Sequence, residues 1–292
     1  MNALTPGHTS LDYQACRYGG AKIAFRGPHK RLKGNYVSFL GGTETFGPFV
    51  AAPYPDLIEL RTGLTCVNLA CRKGGLDAYL SNPSLIDLCS MGAVTVIEAT
   101  GAQNMSNRFY SVDPRRNNRF VRASKLMKSI FFDIDFSKVE TTEQLLKTIC
   151  RGAQDRLPLF RQEIQSAWVA RMRTLIRAID GPTILLWAAG HAPFSKSAGG
   201  TIAREPMFVD RAMLDAVTQD TEHIVEVVIA AGELTAGFER MLTAPHDIEA
   251  AAETLGPVAH RRIAAAIAPV LVAMLDVDQD SDCPENLFAK TA

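Results

Sequence analysis

Tyr36-Val37-Ser38-Phe39-Leu40-Gly41-Gly42-Thr43-Glu44-Thr45-Phe46-Gly47 is an apolar run that stops at two glycines and then presents hydroxyls. A buried strand reads this way when it ends in a tight loop feeding a helix. Glycines there let the backbone turn sharply and approach a ligand. The same pattern recurs along the chain. Thr65 to Ala70 is a second apolar run, followed by Gly74-Gly75. Ala93 to Ala99 is a third, ending at Gly101; Thr183 to Ala188 is a fourth, ending at Gly190-His191; His223 to Ala230 is a fifth. Near-continuous apolar strands alternating with helices predict a parallel sheet covered on both faces. The expected fold class is α/β: one doubly wound, five-stranded parallel sheet, a flavodoxin-like three-layer sandwich. Ligands of such sheets sit outside the carboxyl ends of the strands, near the switch point of strand order.

The helices are expected over Thr45 to Leu60, with Pro53 and Pro55 as breaks or kinks, and over Leu76 to Ser90, interrupted near Pro83. A long helix starts at Pro158 and a last one runs from about Val258 to Leu275. Phe160, Ile164, Trp168, Met172, Ile176 and Ile179 recur at helical spacing and are read as core. The domain is bounded at 36–275, with a basic arm at 1–35 and a polar tail at 276–292. Between strands three and four lies an insertion at about 102–140, dense in Arg, Asn and aromatics and without a clear period. A long loop at the carboxyl edge of a sheet is commonly functional.

The chain has 292 residues, 31 Lys plus Arg and 31 Asp plus Glu, so its net charge implies no polyanion partner. With no nucleic-acid module visible, nucleic acid is not expected as a partner. The polar start from Met1 to Gly20 lacks a secretory h-region, and Ile263 to Leu275 falls short of the roughly 18 apolar residues of a membrane span. A cytoplasmic protein without a membrane partner is expected. Six cysteines, at 16, 66, 71, 89, 150 and 283, contain no Cys-x-x-Cys and read as reduced thiols. No His, Cys and Asp spacing matches a metal site, and no cofactor is implied.

The Gly41-Gly42 turn admits three readings. Thr43 is a hydroxyl nucleophile beside backbone N–H donors, or the turn is an anion cradle at a helix N-terminus, or Thr43 or Thr45 merely caps that helix. Neither a P-loop nor a dinucleotide fingerprint fits the glycine spacing. Gly75, and Gln103 or Asn104 after the third strand, could supply further oxyanion donors. His191, His246 and His260 are candidate bases, though a structural role is the ordinary one for each. Arg115, Arg116 and Arg119, with Asn107 nearby, could anchor an anionic or sugar-bearing substrate; a solvated face is the plain alternative.

These residues carry a resemblance. Phe39 to Gly47 resembles the first block of SGNH/GDSL-type hydrolases, with Thr43 on the nucleophilic serine and Gly42 on the aspartate. Val67 to Gly75 resembles the second block, and Gly101-Ala102-Gln103-Asn104 the third. Gly256 to Ala268 resembles the segment around the family's last helix, which begins at a histidine. The resemblance implies an ester-cleaving or acyl-transferring enzyme acting on a polar, anionic or glycan-linked substrate. Thr43 would be the nucleophile, Gly75 and Asn104 the oxyanion donors and His260 the base, with Gly42, Thr45, Gln103 and His191 lining the site. The chain departs from the pattern at the serine and at the Asp-x-x-His: Pro257 stands three before His260. The alternative on the same scaffold is a non-catalytic protein that binds a phosphorylated or sulfated small molecule or glycan. Over nearly its whole length the chain also resembles an uncharacterised bacterial family sharing the Gly-Gly-Thr-Glu-Thr-Phe-Gly turn, and that resemblance implies the fold without an activity.

Overall fold

The computed structural model describes residues 11–21, 23–32, 34–194 and 205–279, with side chains as far as Leu275. The domain core opens with β1 (Tyr36–Leu40), α1 (Thr43–Phe46), α2 (Tyr54–Thr62), β2 (Thr65–Asn68), α3 (Leu76–Leu80), α4 (Pro83–Ser90) and β3 (Val94–Glu98). The insertion holds β4 (Tyr110–Asp113), β5 (Arg116–Ala123) and α5 (Lys125–Ile130), and α6 (Thr142–Gly152) follows it. Next come α7 (Leu157–Ala178), β6 (Thr183–Ala189), α8 (Arg211–Val217), β7 (His223–Val228), α9 (Ala231–Phe238), α10 (Ile248–Ala252) and α11 (Pro257–Gln279).

Five strands form one parallel sheet in the order β2-β1-β3-β6-β7. The chain starts in the middle, moves out to β2, then crosses back past β1 to β3. The order therefore reverses between β1 and β3, and the crevice of a doubly wound sheet opens outside their carboxyl ends.

Alternation along each strand feeds two cores. Tyr36 and Leu40 of β1, Ile97 of β3, and Leu185, Trp187 and Ala189 of β6 face one side, against α3, α4, α6, α7 and the hairpin β4–β5. Val37 and Phe39, Val94 and Val96, and Ile184, Leu186 and Ala188 face the other, against α2 and α11. Phe160, Ile164, Trp168, Met172, Ile176 and Ile179 are all buried, as their spacing predicts. Each such side chain contributes about 1.5–3 kcal/mol of burial free energy. By length and composition α11 could cross a membrane. Here Ala259, Ile263, Ala264, Ile267, Leu271 and Leu275 form its buried stripe against the sheet.

Two expectations need correction. The helix expected over Thr45 to Leu60 is two helices, because Gly47 closes α1 in the left-handed conformation and Pro53 starts α2. The insertion is not an irregular loop: it folds into an antiparallel hairpin and the helix α5, with bulges around Val112 that erase the two-residue period. Among its described residues, the basic arm is tied to the domain. Phe25 and Cys16 bridge, and the buried Arg26 donates to the carbonyls of Phe46, Gly47, Val50 and Ala51. Lys30 pairs with Asp56 and Glu59. Lys22, Lys33, Cys283 and the tail beyond 279 lie outside the described residues. Cys16, Cys66, Cys71, Cys89 and Cys150 are free thiols.

Candidate functional site

At Leu40 the chain leaves β1 and turns. A Cβ on Gly41 would collide with the Thr45 hydroxyl and the Glu98 carboxylate, so the position has room only for glycine. Tyr79 clamps the same residue, donating to the Gly41 carbonyl at 2.5 Å and accepting its N–H at 3.0 Å. Glu98, at the end of β3, then fills the turn. Its Oε2 accepts from Gly42 N (2.9 Å), Thr45 N (3.0 Å) and the Thr45 hydroxyl. Thr45 in turn shares a 2.7 Å hydrogen bond with the Tyr54 hydroxyl, and Asn68 donates to the Thr45 carbonyl at 2.8 Å. The first turn of α1 is thus an anion cradle occupied by the protein's own carboxylate. Burial pushes the Glu98 carboxyl up, and these donors pull the other way.

This settles where Gly42 and Thr45 direct their polar groups: inward, to Glu98. Thr43 differs. It is half-buried and its hydroxyl accepts from Lys73 N at 2.9 Å. No hydrogen bond joins it to a histidine among the described residues. His260 is fully buried in α11, and its Nδ1 accepts the Tyr54 amide at 3.0 Å. Its Nε2 is buried without a hydrogen-bond partner. Burial, then the charge of Arg26, drive this imidazole down to about 3. A ring so weakly basic and so engaged cannot take a proton from Thr43. The assignment of His260 as base therefore does not fit the geometry.

The expected oxyanion donors are also occupied. Gly75 N donates to Asn117 Oδ1 at 2.8 Å, and Ala78 N to the same oxygen at 3.0 Å. Asn117 thereby caps α3 from the start of β5. Gly75 and Asn104 are neighbours, since a Cβ on Gly75 would strike the Asn104 carbonyl. The Asn104 side chain, however, accepts from Thr142 at 2.7 Å, at the first turn of α6. Gln103 donates to Glu205 at 2.7 Å, while its Oε1 and the Thr100 hydroxyl are buried without a partner. Asn107 spends its amide on Phe109 N, Tyr110 N and the Met105 carbonyl. His191 stacks on Phe194 at 4.3 Å, and its ring nitrogens meet the carbonyls of Ala192 and Glu205. Exposed His246 lies 3.6 Å from Asp247.

Glu44, beside Thr43, is the perturbed group of the crevice. Burial first, then the charge of Glu98, push its carboxyl up to about 8, against the N–H of Leu255 at 2.7 Å and with a further push from Glu205. The Glu205 side chain is exposed as a whole but turns its carboxyl onto Gln103 and Met207 N.

The rim is basic. Arg72 and Lys73, exposed after β2, flank Thr43, with Arg72 over the Phe46 ring at 5.9 Å. Arg115 and Arg116 are exposed at the hairpin turn. Asn117, the next residue, is the one bonded to Gly75, so the hairpin tip is held against the loop that carries Lys73. None of these four cations enters an ion pair among the described residues. Arg119 sits farther along β5, bridged to Thr141. No group of three or more His, Cys, Asp or Glu among the described residues could hold a metal ion.

Sequence reasoning missed Glu98, Glu44, Asn117 and the Arg72–Lys73 pair. Glu98 had a signal: a lone acid closing the run Val94-Thr95-Val96-Ile97. Asn117 had none, because its partner lies 42 residues away.

Fold and crevice together define a doubly wound α/β protein with a polar site at the switch point. The sequence model of the family described as Domain of unknown function (DUF6473) matches residues 1–275, and the chain belongs to that family. Comparison with curated proteins returned no match.

Proposed function

We propose that the protein binds a polar, anion-bearing small molecule or glycan in the crevice outside β1 and β3, without an SGNH-type triad. One observation carries this reading. Asn117 pins the Arg115–Arg116 tip to Gly75, which lines four unpaired cations along the rim beside Thr43. A phosphate or sulfate there would gain charge-assisted hydrogen bonds. The hydroxyls of the same ligand would face Glu44 on the inner wall.

Calorimetry with a sugar phosphate and a sulfated disaccharide tests it. Arg116→Ala or Lys73→Ala should weaken the tighter of the two by about 1.5–3 kcal/mol. Equal affinity for the parent uncharged sugar, or no effect of either substitution, would remove the rim from the site.

The second reading, an SGNH-like esterase or acyltransferase with Thr43 as nucleophile, draws on the half-exposed Thr43 hydroxyl at a strand-to-helix turn. Hydrolysis of short acyl esters that disappears in Thr43→Ala would favour it over binding alone.

A further inference from the structure

The far end of the hairpin carries a second surface, distinct from the crevice. A groove of about 570 Å³ opens between β5 and the segment after α5. Phe120, Ile134, Phe136 and Val139 line it, with Val121 and Phe132 at its edge. Phe132 is 80% exposed and Val121 54% exposed, and Leu126 on α5 is 46% exposed. Large apolar side chains gathered on one face, rather than scattered, mark an interaction site.

The charges around it are unequal. Asp133 pairs with Arg156 at 2.6 Å, and Asp135 with Lys138 at 3.5 Å. Arg156 also lies 5.5 Å over the Phe132 ring. Arg122 and Lys128, which line the groove, and Lys125 on the first turn of α5 are exposed and enter no ion pair among the described residues. Exposed Glu140, beside Val139, also enters no ion pair among the described residues, so the local balance is three unmatched cations against one carboxylate. No function of the crevice uses them.

We propose that this groove docks an acidic peptide segment of a partner protein, which inserts one bulky apolar side chain beside Phe132 and sets carboxylates against Arg122, Lys125 and Lys128. Concavity favours a side chain in a pocket over a flat lipid surface. The unmatched positive charge selects an acidic segment and speeds its encounter.

The test uses the full chain and a fluorescein-labelled peptide in which aspartate and glutamate flank one phenylalanine and two leucines. Fluorescence anisotropy should rise on binding. Phe132→Ala and Lys128→Glu should each weaken it about tenfold, and added salt should weaken the wild type. Both side chains are exposed, so neither change should disturb folding. The proposal is overturned if the peptide does not bind, if both variants bind it as the wild type does, or if only vesicles of phosphatidylcholine and phosphatidylglycerol bind and the peptide does not.

Discussion

The backbone N–H of Tyr54 points at Nδ1 of His260, 3.0 Å away, and the two rings stack with centroids 5.8 Å apart. The first residue of α2 is thus secured by a side chain of α11. An imidazole that accepts at Nδ1 keeps its proton on Nε2 and stays neutral. Its value of about 3 lies below the ordinary 6.5, so the stability it contributes is complete above about pH 6.5 and is lost as pH falls toward 3. Its NMR signals should not titrate between about pH 5 and pH 8. His260→Ala should cost about 3 kcal/mol, from the cavity and the orphaned amide. A histidine titrating near neutrality would remove this structural role.

Glu44 has the opposite sign. Its value is raised to about 8 from 4.5, so burying it is least costly below pH 4.5, and stability is lost as pH rises through 8. Glu44→Gln keeps an acceptor for Leu255 N–H and removes the charge. Urea unfolding should show the variant gaining on the wild type from pH 5 to pH 9, by on the order of a few kcal/mol. Parallel profiles for the two proteins would mean that Glu44 is solvated and ordinary.

Gly41 is the tightest point of the turn. Gly41→Ala forces a methyl group against Glu98 and Thr45 and should cost about 3 kcal/mol. Gly63→Ala is a useful contrast: no atom lies within 4 Å of its Cβ position, but φ is +74°, so its cost is backbone strain alone. Thermal melts in which Gly41→Ala is the milder of the two would show that the crowding at β1 relaxes easily.

Asn117→Ala removes the cap of α3 and should cost about 1–2 kcal/mol. It should also free the Arg115–Arg116 tip, so ligand affinity at the rim should fall further than stability alone explains. Asn117→Asp keeps the acceptor but loses the amide's donation to the Asp113 carbonyl at 3.0 Å and buries a charge, so it should not restore stability. Equal rim affinity in Asn117→Ala and the wild type would mean that the bond to Gly75 N is not what holds the tip.

The sheet was legible because β1, β2, β3 and β6 are near-continuous apolar runs that each stop at glycine or a polar residue, whereas the edge strand β7 alternates, with Glu226 exposed. Trp168 and its neighbours on α7 repeat every three to four residues, which needs no partner to be read. The hairpin was not legible: bulges shift its register, so Val121 and Arg122 are both exposed in sequence neighbours. The place of the site followed from Gly41 and Gly42, but its chemistry did not. Whether the Thr45 hydroxyl meets a ligand or Glu98 depends on a residue 53 positions away. Local motifs resemble each other in sequence while their hydrogen bonds go to different partners.

Arg26 has a consequence for anyone who shortens this protein. The guanidinium reaches four carbonyls between α1 and α2, including that of Gly47, which ends α1. A version starting at Tyr36 would keep every strand of the sheet, yet strip those carbonyls of the guanidinium that ties them together. The arm is therefore the outer wall of the crevice turn, and trimming it would loosen Thr43 before it loosened the fold.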